Sequence, residues 1–410
     1  MKNTNIILVT DVPPDIKYTA GQVLNRVISK LPGFHFNTHW LNQSNLENTF
    51  SLPRNCRVLF QYNLTRLSFL SSFSNVINSL SRRLPSIKKI LLIPKSFIYV
   101  ASIVPQALVL ALRVRNEPAR IVWLVVQGDR LVFCYLLVAV LSKKPYVLQQ
   151  WDPLSWWMDN RQYPKWFQNI MKRLLYHLES RAYMNLVPSD IWRDKLISQK
   201  KNALRLDNFI ERSILDLSRF VAVREPNVFH AVFIGQIYAK DELTRLIDAL
   251  KLHLKSKDKK LVIHYYGSSN IEENFDCQFV FHGYMDTKEL IESISQWELA
   301  LLPYPTEILN TETALLSFPS KVRIYLSGGL PILALAPSVS GIHQFLNREY
   351  AEYYQNILNE CNLDRLINHI SDLSYGVMRL RFETARGIVK NNFSEQVELE
   401  PLKRMLEKIS

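Results

Sequence analysis

Residues 318–334 read Phe-Pro-Ser-Lys-Val-Arg-Ile-Tyr-Leu-Ser-Gly-Gly-Leu-Pro-Ile-Leu-Ala, and this stretch decides the fold. Pro319 stands where a helix begins, because its missing N–H costs nothing in a first turn. Gly328 and Gly329 stand where that helix ends. The apolar run that follows returns the chain to a buried strand. Lys321 falls in the first turn, where its charge opposes the positive end of the helix dipole. A bound anion reverses that argument: free N–H groups, Ser320 and Lys321 would together cradle a phosphate. The alternative is a solvated surface lysine.

Short apolar runs alternate with helical stretches on either side of this segment. In the first half they are Ile6–Thr10, Val58–Gln61, Ile121–Val126, Tyr146–Gln149 and Asn185–Pro188. In the second they are Phe229–Ile234, Leu261–Tyr266, Phe279–His282, Leu299–Leu302 and Ile332–Ala334. Such β–α alternation predicts parallel sheets covered by helices on both faces. One sheet of 410 residues is too large, so two Rossmann-like domains are expected, with a hinge near Asn208–Asn227. The expected boundaries are 1–208 for an acceptor-binding domain, 209–392 for a nucleotide-binding domain, and 393–410 for a last helix able to pack back on the first domain.

Hydrophobic residues make up 48% of the chain and charged residues 21%, a globular balance that leaves little room for disorder. The cysteines Cys56, Cys134, Cys277 and Cys361 show neither metal-ligand nor disulfide spacing, which fits a reducing compartment and no structural zinc. The apolar run after Met1 is too short for a signal peptide, so cytoplasmic synthesis is expected. The net charge of +13 is uneven: residues 48–116 contain no acidic residue but include Arg82, Arg83, Lys88 and Lys89. No zinc-finger spacing or RNA-recognition signature accompanies them. Apolar clusters interleaved with the cations point instead to an anionic membrane surface, with the protein peripheral on its inner face. The run Phe97–Leu112, interrupted by Pro105, is too short to span a bilayer and reads as either a surface-lying or a buried core helix.

Neither Gly-x-Gly-x-x-Gly nor Gly-x-x-x-x-Gly-Lys-Ser/Thr occurs, which argues against dinucleotide oxidoreductases and P-loop nucleotidases. Glycines instead follow strands: Gly21, Gly128, Gly235, Gly267 and Gly283. They permit close approach of a ligand, or simply make turns.

Four segments, in order, carry a resemblance. Phe233-Ile234-Gly235-Gln236-Ile237 with Leu246–Leu250, Phe281-His282-Gly283-Tyr284 with Glu289-Leu290, Ala300–Tyr304, and Phe318–Ala334 together resemble the nucleotide-sugar-binding domain of GT-B glycosyltransferases. The retaining, family 4-like clan of polysaccharide and glycoconjugate assembly is the one they resemble. This implies an α/β fold of GT-B type, two Rossmann-like domains facing across a cleft, with a nucleotide sugar as donor substrate and no other cofactor. Gly235, Gln236, Lys240, Gly283, Tyr284, Glu312, Ser320, Lys321 and Arg323 are the implied donor-binding residues, with Lys321 on the diphosphate and Tyr284 in the segment that meets the base.

The chain departs from the clan in three places. Gln236 and Asp241 stand where an arginine and a lysine usually bind phosphate, with Lys240 adjacent. Ile324 stands where a glutamate usually accepts from the ribose, leaving Glu307 or Glu312 to supply a carboxylate. The first half resembles the clan less. Asp11–Pro14 with Gly21 matches the first strand's exit and glycine loop. Asp152, within Gln150–Trp157, matches a polar cleft position and is read as catalytic with Lys321, or else as an Asp-Pro turn. Trp151, Trp156 and Trp157 either stack on a sugar or lipid or fill the core.

With no Asp-x-Asp present, no metal is expected, since fixed cations and helix N–H groups can stabilise a leaving diphosphate. The expected activity is sugar transfer to a lipid-linked or glycan acceptor. The alternatives are a catalytically weak GT-B protein serving as an assembly partner and a sugar-nucleotide epimerase.

Overall fold

Parallel strands buried on both faces need near-continuous apolar sequence, and the central strands supply it. In β1 (Thr4–Thr10) Ile6 to Val9 are fully buried, and in β4 (Ile121–Val126) every residue is buried. The computed structural model describes residues 4–15, 19–42, 51–63, 103–160, 163–217, 225, 227–267, 277–306, 311–358, 363–371 and 375–409. They divide into two compact units, Met1–Asp207 with Leu399–Ser410, and Asn208–Glu398.

In the first unit, β1 and β4 are joined by β2 (Phe34–Asn42), β3 (Cys56–Asn63), β5 (Tyr146–Gln150), β6 (Met184–Val187) and β7 (Ala203–Arg205). Among the described residues they form one parallel sheet in the order β3-β2-β1-β4-β5-β6-β7. The second unit holds β8 (Val228–Ile234), β9 (Lys260–Tyr266), β10 (Gln278–Gly283), β11 (Leu299–Pro303), β12 (Ile332–Leu335) and β13 (Tyr354–Asn356). Their order is β10-β9-β8-β11-β12-β13, again parallel. Each sheet thus grows outward from its first strand and then crosses to that strand's other side, creating a switch point between β1 and β4 and between β8 and β11. Adjacent loops diverge there, which is where open α/β sheets take ligands.

Every strand read from the sequence is present, with ends moved by one or two residues. The unread strands are β2, β7 and β13. The outer two are only three residues long. β2, Phe-His-Phe-Asn-Thr-His-Trp-Leu-Asn, carries Asn37, Thr38 and His39 in its buried middle and so lacks an apolar run. These polar groups are paired across the sheet: Arg57 donates to Asn37 at 3.0 Å, Thr38 contacts the Cys56 thiol at 3.2 Å, and His39 bonds Tyr62 at 3.0 Å and the Glu117 carboxylate. Buried polar groups with partners avoid the desolvation penalty that the sequence pattern warns of.

Both switch points are wedged by a buried tyrosine, Tyr135 from the helix directly after β4 and Tyr325 from the second helix after β11. The β8–β11 ladder pairs Leu299 with Ala231 and Ala300 with Val232. One step beyond it, the Tyr325 hydroxyl accepts from Ile234 N–H at 3.1 Å and donates to Leu301 C=O at 3.0 Å. In the first unit the Tyr135 hydroxyl lies 3.1 Å from Val9 C=O and 2.8 Å from Val125 C=O, with one proton to share between them. The strands separate, yet their exposed backbone groups are not left dry. Tyr325→Phe removes the hydroxyl partner of both Ile234 and Leu301 and is expected to cost about 1–3 kcal/mol in urea unfolding. An unchanged midpoint would show that the wedge carries no stability.

Candidate functional site

The carboxyl ends of β8, β9 and β10 finish in Gly235, Gly267 and Gly283, laced side to side. Gly235 N–H donates to Tyr266 C=O at 2.8 Å, and Gly267 N–H donates to Gly283 C=O at 3.1 Å. Gly235 and Gly283 adopt φ of 86° and 76°, conformations that L side chains rarely take. A Cβ on Gly267 would lie 2.2 Å from the Tyr265 hydroxyl. The result is a row of bare backbone at the carboxyl edge of the sheet, the edge at which open α/β sheets take ligands. Opposite it, the β11 exit is tied back by Glu242, whose carboxylate accepts from Thr306 N–H and Oγ1, each at 2.9 Å.

The helix read from residues 318–334 is short, Lys321–Ser327. Pro319 precedes it and accepts a turn bond from Val322 N–H at 3.1 Å, while Gly328 ends it as expected. Ser320 occupies the cap position with its hydroxyl capping nothing, and it is exposed. Lys321 is no solvated surface residue: it is 8% exposed and its ammonium has no hydrogen-bond partner. Its Nζ lies 4.6 Å from the centre of the Phe233 ring and 4.9 Å from that of Tyr238. Burial pushes the amine down to about 7, because the charged form loses more hydration than two ring faces return.

The other residues read from the sequence are placed variously. Gln236 and Lys240 are exposed beside Gly235, Tyr284 is exposed beyond Gly283, and Glu312 is half-buried in the helix Thr311–Leu316. Glu307 lies outside the described residues. Arg323 does not join them, nor does it face solvent: it is 1% exposed, donates to Asn208 C=O, and stacks between Phe318 and Phe393. Ile324 packs against the apolar core, and Asp241 is exposed.

In the first unit, Gly21 is buried where a Cβ would meet Pro13 C=O at 2.6 Å and Asp15 C=O at 2.8 Å, so its role is close packing of a helix on the β1 exit. Asp152 follows β5, and desolvation raises its carboxyl pKa. Trp151, Trp156 and Trp157 are half-buried there. Asp11, at the β1 exit, is pushed up to about 8 by burial.

No family model and no curated protein matches the chain. Solved structures do match along its whole length. Sucrose-phosphate synthase from Thermosynechococcus elongatus is 10% identical, with both chains covered in full and a TM-score of 0.63. The lipopolysaccharide outer core galactosyltransferase WaaB is 11% identical over 99% of each chain, with a TM-score of 0.56. Anabaena HepE, solved in complex with UDP, is 10% identical over 99% of this chain and 100% of its own, with a TM-score of 0.58. The fold is GT-B.

Within this GT-B chain, sequence reasoning missed Glu242, Tyr238, Phe233 and a histidine ladder. Phe233 and the histidines carry a signal, an aromatic or polar residue within an apolar strand, whereas Tyr238, in the loop after β8, and Glu242, in the first turn of the helix Lys240–Lys255, carry none. His230, His264 and His282 come from β8, β9 and β10 and are linked Nδ1 to Nε2, His230 to His264 at 2.9 Å and His264 to His282 at 2.9 Å. Trp297 stacks on His264 at 3.5 Å between ring centres. Glu225 lies 3.8 Å from His230 Nε2, and Glu298 accepts the His230 backbone N–H at 2.7 Å.

Burial and its two histidine neighbours push His264 down to about 3 from 6.5, and burial lowers His230 and His282 too. The unfolded chain therefore binds more protons between these values, so stability is complete above pH 6.5 and is lost as pH falls from 6.5 towards 3. The melting temperature is expected to drop between about pH 7 and about pH 5, and to drop less in His264→Gln. Equal drops in the two proteins would remove the ladder from the account.

Proposed function

We propose that the chain is a glycosyltransferase that takes a sugar from a nucleotide sugar. It passes that sugar, with retention, to a lipid-linked or polysaccharide acceptor at the cytoplasmic face of a membrane. The observation that carries this reading is the buried Lys321 ammonium without a partner, set at the ligand end of a GT-B second unit beside bare strand ends. An ammonium withdrawn from water without a counter-charge is unfavourable for the fold, and an anion at that place relieves the deficit. That Anabaena HepE holds UDP supports a nucleoside diphosphate as the anion.

Transfer breaks the bond between the anomeric carbon and the terminal phosphate oxygen, and negative charge grows on the leaving diphosphate. Lys321 is the cation assigned to that charge, and the neighbouring glycines let phosphate oxygens approach the main chain. No metal is assigned to this step. Asp152, whose carboxyl pKa is raised by desolvation, is the group assigned to take the acceptor hydroxyl's proton as the acceptor oxygen bonds the anomeric carbon.

A second reading, a GT-B protein kept as a binding or assembly partner, is favoured by Ile324, which packs against the core where the resembled clan usually has a ribose-binding glutamate. Hydrolysis across a panel of UDP-, GDP- and ADP-sugars separates the two readings, since an assembly partner turns over none of them.

Lys321→Met is expected to weaken UDP binding at least about a hundredfold, measured by calorimetry with EDTA present, without lowering the melting temperature. Binding takes up a proton where the free amine is neutral, so wild-type affinity should fall as pH rises above about 7. Normal UDP binding by Lys321→Met would end the phosphate assignment. Wild-type binding that needs magnesium would end metal independence.

Membrane attachment is supported by the acid-free segment, most of which lies outside the described residues. Its described parts are 51–63, which carry β3, and 103–116, which are helical, with Ala107, Leu110, Ala111 and Val114 in the core and Leu108, Val109 and Leu112 exposed. No helix among the described residues is long and apolar enough to cross a membrane. Sedimentation with vesicles should require anionic lipid and weaken when Arg82, Arg83, Lys88 and Lys89 are all changed to Gln. Equal binding to neutral vesicles, or none, would leave the charge to a soluble acidic acceptor.

A further inference from the structure

Parallel strands that open side by side bring their first residues to one edge, and in the first sheet that edge is polar and cationic. β1 and β2 pair Asn5 with His35, and β2 and β3 pair Asn37 with Arg57, so these four side chains stand on one face of the sheet. Higher on the same face, Ile7 and Val9 enter the apolar core with Ala107, Leu110, Ala111 and Val114 of the helical segment 103–116. The face thus turns from apolar to polar within two residues of β1. A cavity of about 260 Å³ opens there, and its lining includes Asn5, His35, Asn37, Arg54, Asn55 and Arg57.

The lining is held in place by its own hydrogen bonds. Asn55 Nδ2 donates to the carbonyls of Ile28, Leu31 and Phe34 at 2.9, 3.0 and 3.1 Å, and Asn55 C=O accepts from Phe36 N–H at 2.8 Å. Cys56 N–H closes the turn on Pro53 C=O at 2.9 Å. The turn that carries Arg54 is therefore pinned on both sides. Arg57 Nε donates to Asn37 Oδ1 at 3.0 Å, which orients the guanidinium and leaves its terminal N–H groups to a ligand. Cys56 supplies an uncharged wall: its thiol meets the Thr38 hydroxyl at 3.2 Å, and burial pushes it up to about 11. Among the described residues, no acidic side chain lines the cavity. Two guanidiniums thus share a concave site that has no carboxylate in its wall.

We propose that this cavity is a second anion site, which takes a phosphate monoester on Arg54, Arg57 and His35. A guanidinium fork matches paired oxygens, and two forks with an imidazole match the three free oxygens of a monoester better than the two of a diester. The volume suits a phosphate with a small ester group, since it lies just below the ~300 Å³ at which pockets for drug-sized ligands begin. The site is separate from Lys321, which belongs to the other unit. It is also separate from the β1 exit at Asp11, about 20 Å further along the strand. A monoester free in solution and one borne on a lipid present the same oxygens, so both fit. Either would neutralise part of the acid-free segment at the edge of the sheet opposite the one that takes ligands in open α/β folds.

Phenylglyoxal labelling, mapped by mass spectrometry, reads Arg54 and Arg57 directly, with exposed Arg348 as the internal standard. At an ionic strength held constant with sodium chloride, ~10 mM inorganic phosphate or glycerol phosphate is expected to slow Arg54 labelling about fivefold relative to Arg348, the protection that a low-millimolar site gives. In Arg57→Gln that protection at Arg54 is expected to vanish with the melting temperature unchanged, because Arg57 is exposed. Phosphatidylcholine vesicles carrying phosphatidic acid, a monoester, are then compared with vesicles carrying phosphatidylglycerol, a diester. Stronger protection by phosphatidic acid assigns the site to a lipid headgroup. Protection by glycerol phosphate, with no difference between the vesicles, assigns it to a soluble monoester. The site is overturned by an absence of protection from every monoester probe and from inorganic phosphate, by protection fully kept in Arg57→Gln, or by equal slowing of Arg348.

Discussion

The Tyr325 hydroxyl, placed between Ile234 and Leu301, lets β8 and β11 part without leaving dry backbone behind, and the ligand end of the second unit is built on that parting. Were the ladder to continue, the two loops would leave the sheet side by side and no crevice would open. Lys321 lies four residues earlier on the same short helix, hence on the same face. The wedge that separates the strands therefore also aims the amine at β8, where Phe233 receives it. Glu242 closes the arrangement from the far side by holding the β11 exit to the helix that follows β8. Separation and charge come from the helix Lys321–Ser327, and Glu242, on the helix after β8, holds the β11 exit in place.

The first unit repeats the device with different chemistry. Tyr135 wedges β1 from β4, but the residue at the exit is Asp11, with its pKa raised to about 8 by burial, rather than a lysine. Two helices of unlike sequence, one strongly apolar and one short and cationic, thus place a tyrosine at the same topological position. A phenol suits the place because it reaches past the helix surface with a donor for a strand carbonyl, and at Tyr325 the same oxygen also accepts.

Much of this was readable in advance where burial writes a pattern. Buried parallel strands show as apolar runs, and the Pro319 to Gly329 punctuation fixed a helix to within two residues. β2 was not legible because its buried middle, Asn37 to His39, interrupts the apolar run with polar groups satisfied by partners on β3 and at Glu117, contacts that no local window contains. In the site, Lys321 was legible as a charge against a dipole. Its aromatic seal was not, since Phe233 and Tyr238 read as ordinary strand and loop residues. Arg323, two residues on, has the same charge and the opposite fate, because it faces Phe318 and Phe393 rather than β8. Only the helical phase, set by tertiary packing, distinguishes them.

The histidine ladder carries a property of another kind. Three neutral imidazoles hold three ring protons, and two are spent bridging His230 to His264 and His264 to His282. The third must sit on an outer nitrogen, either His230 Nε2 or His282 Nδ1. The ladder therefore has a direction, and turning one ring's tautomer turns the others. Glu225, near the His230 end, favours the sense that places the proton there. A group meeting His282 at the β10 end would be greeted by a lone pair or by an N–H according to a carboxylate two strands away, and the message would cross the sheet with no heavy atom displaced.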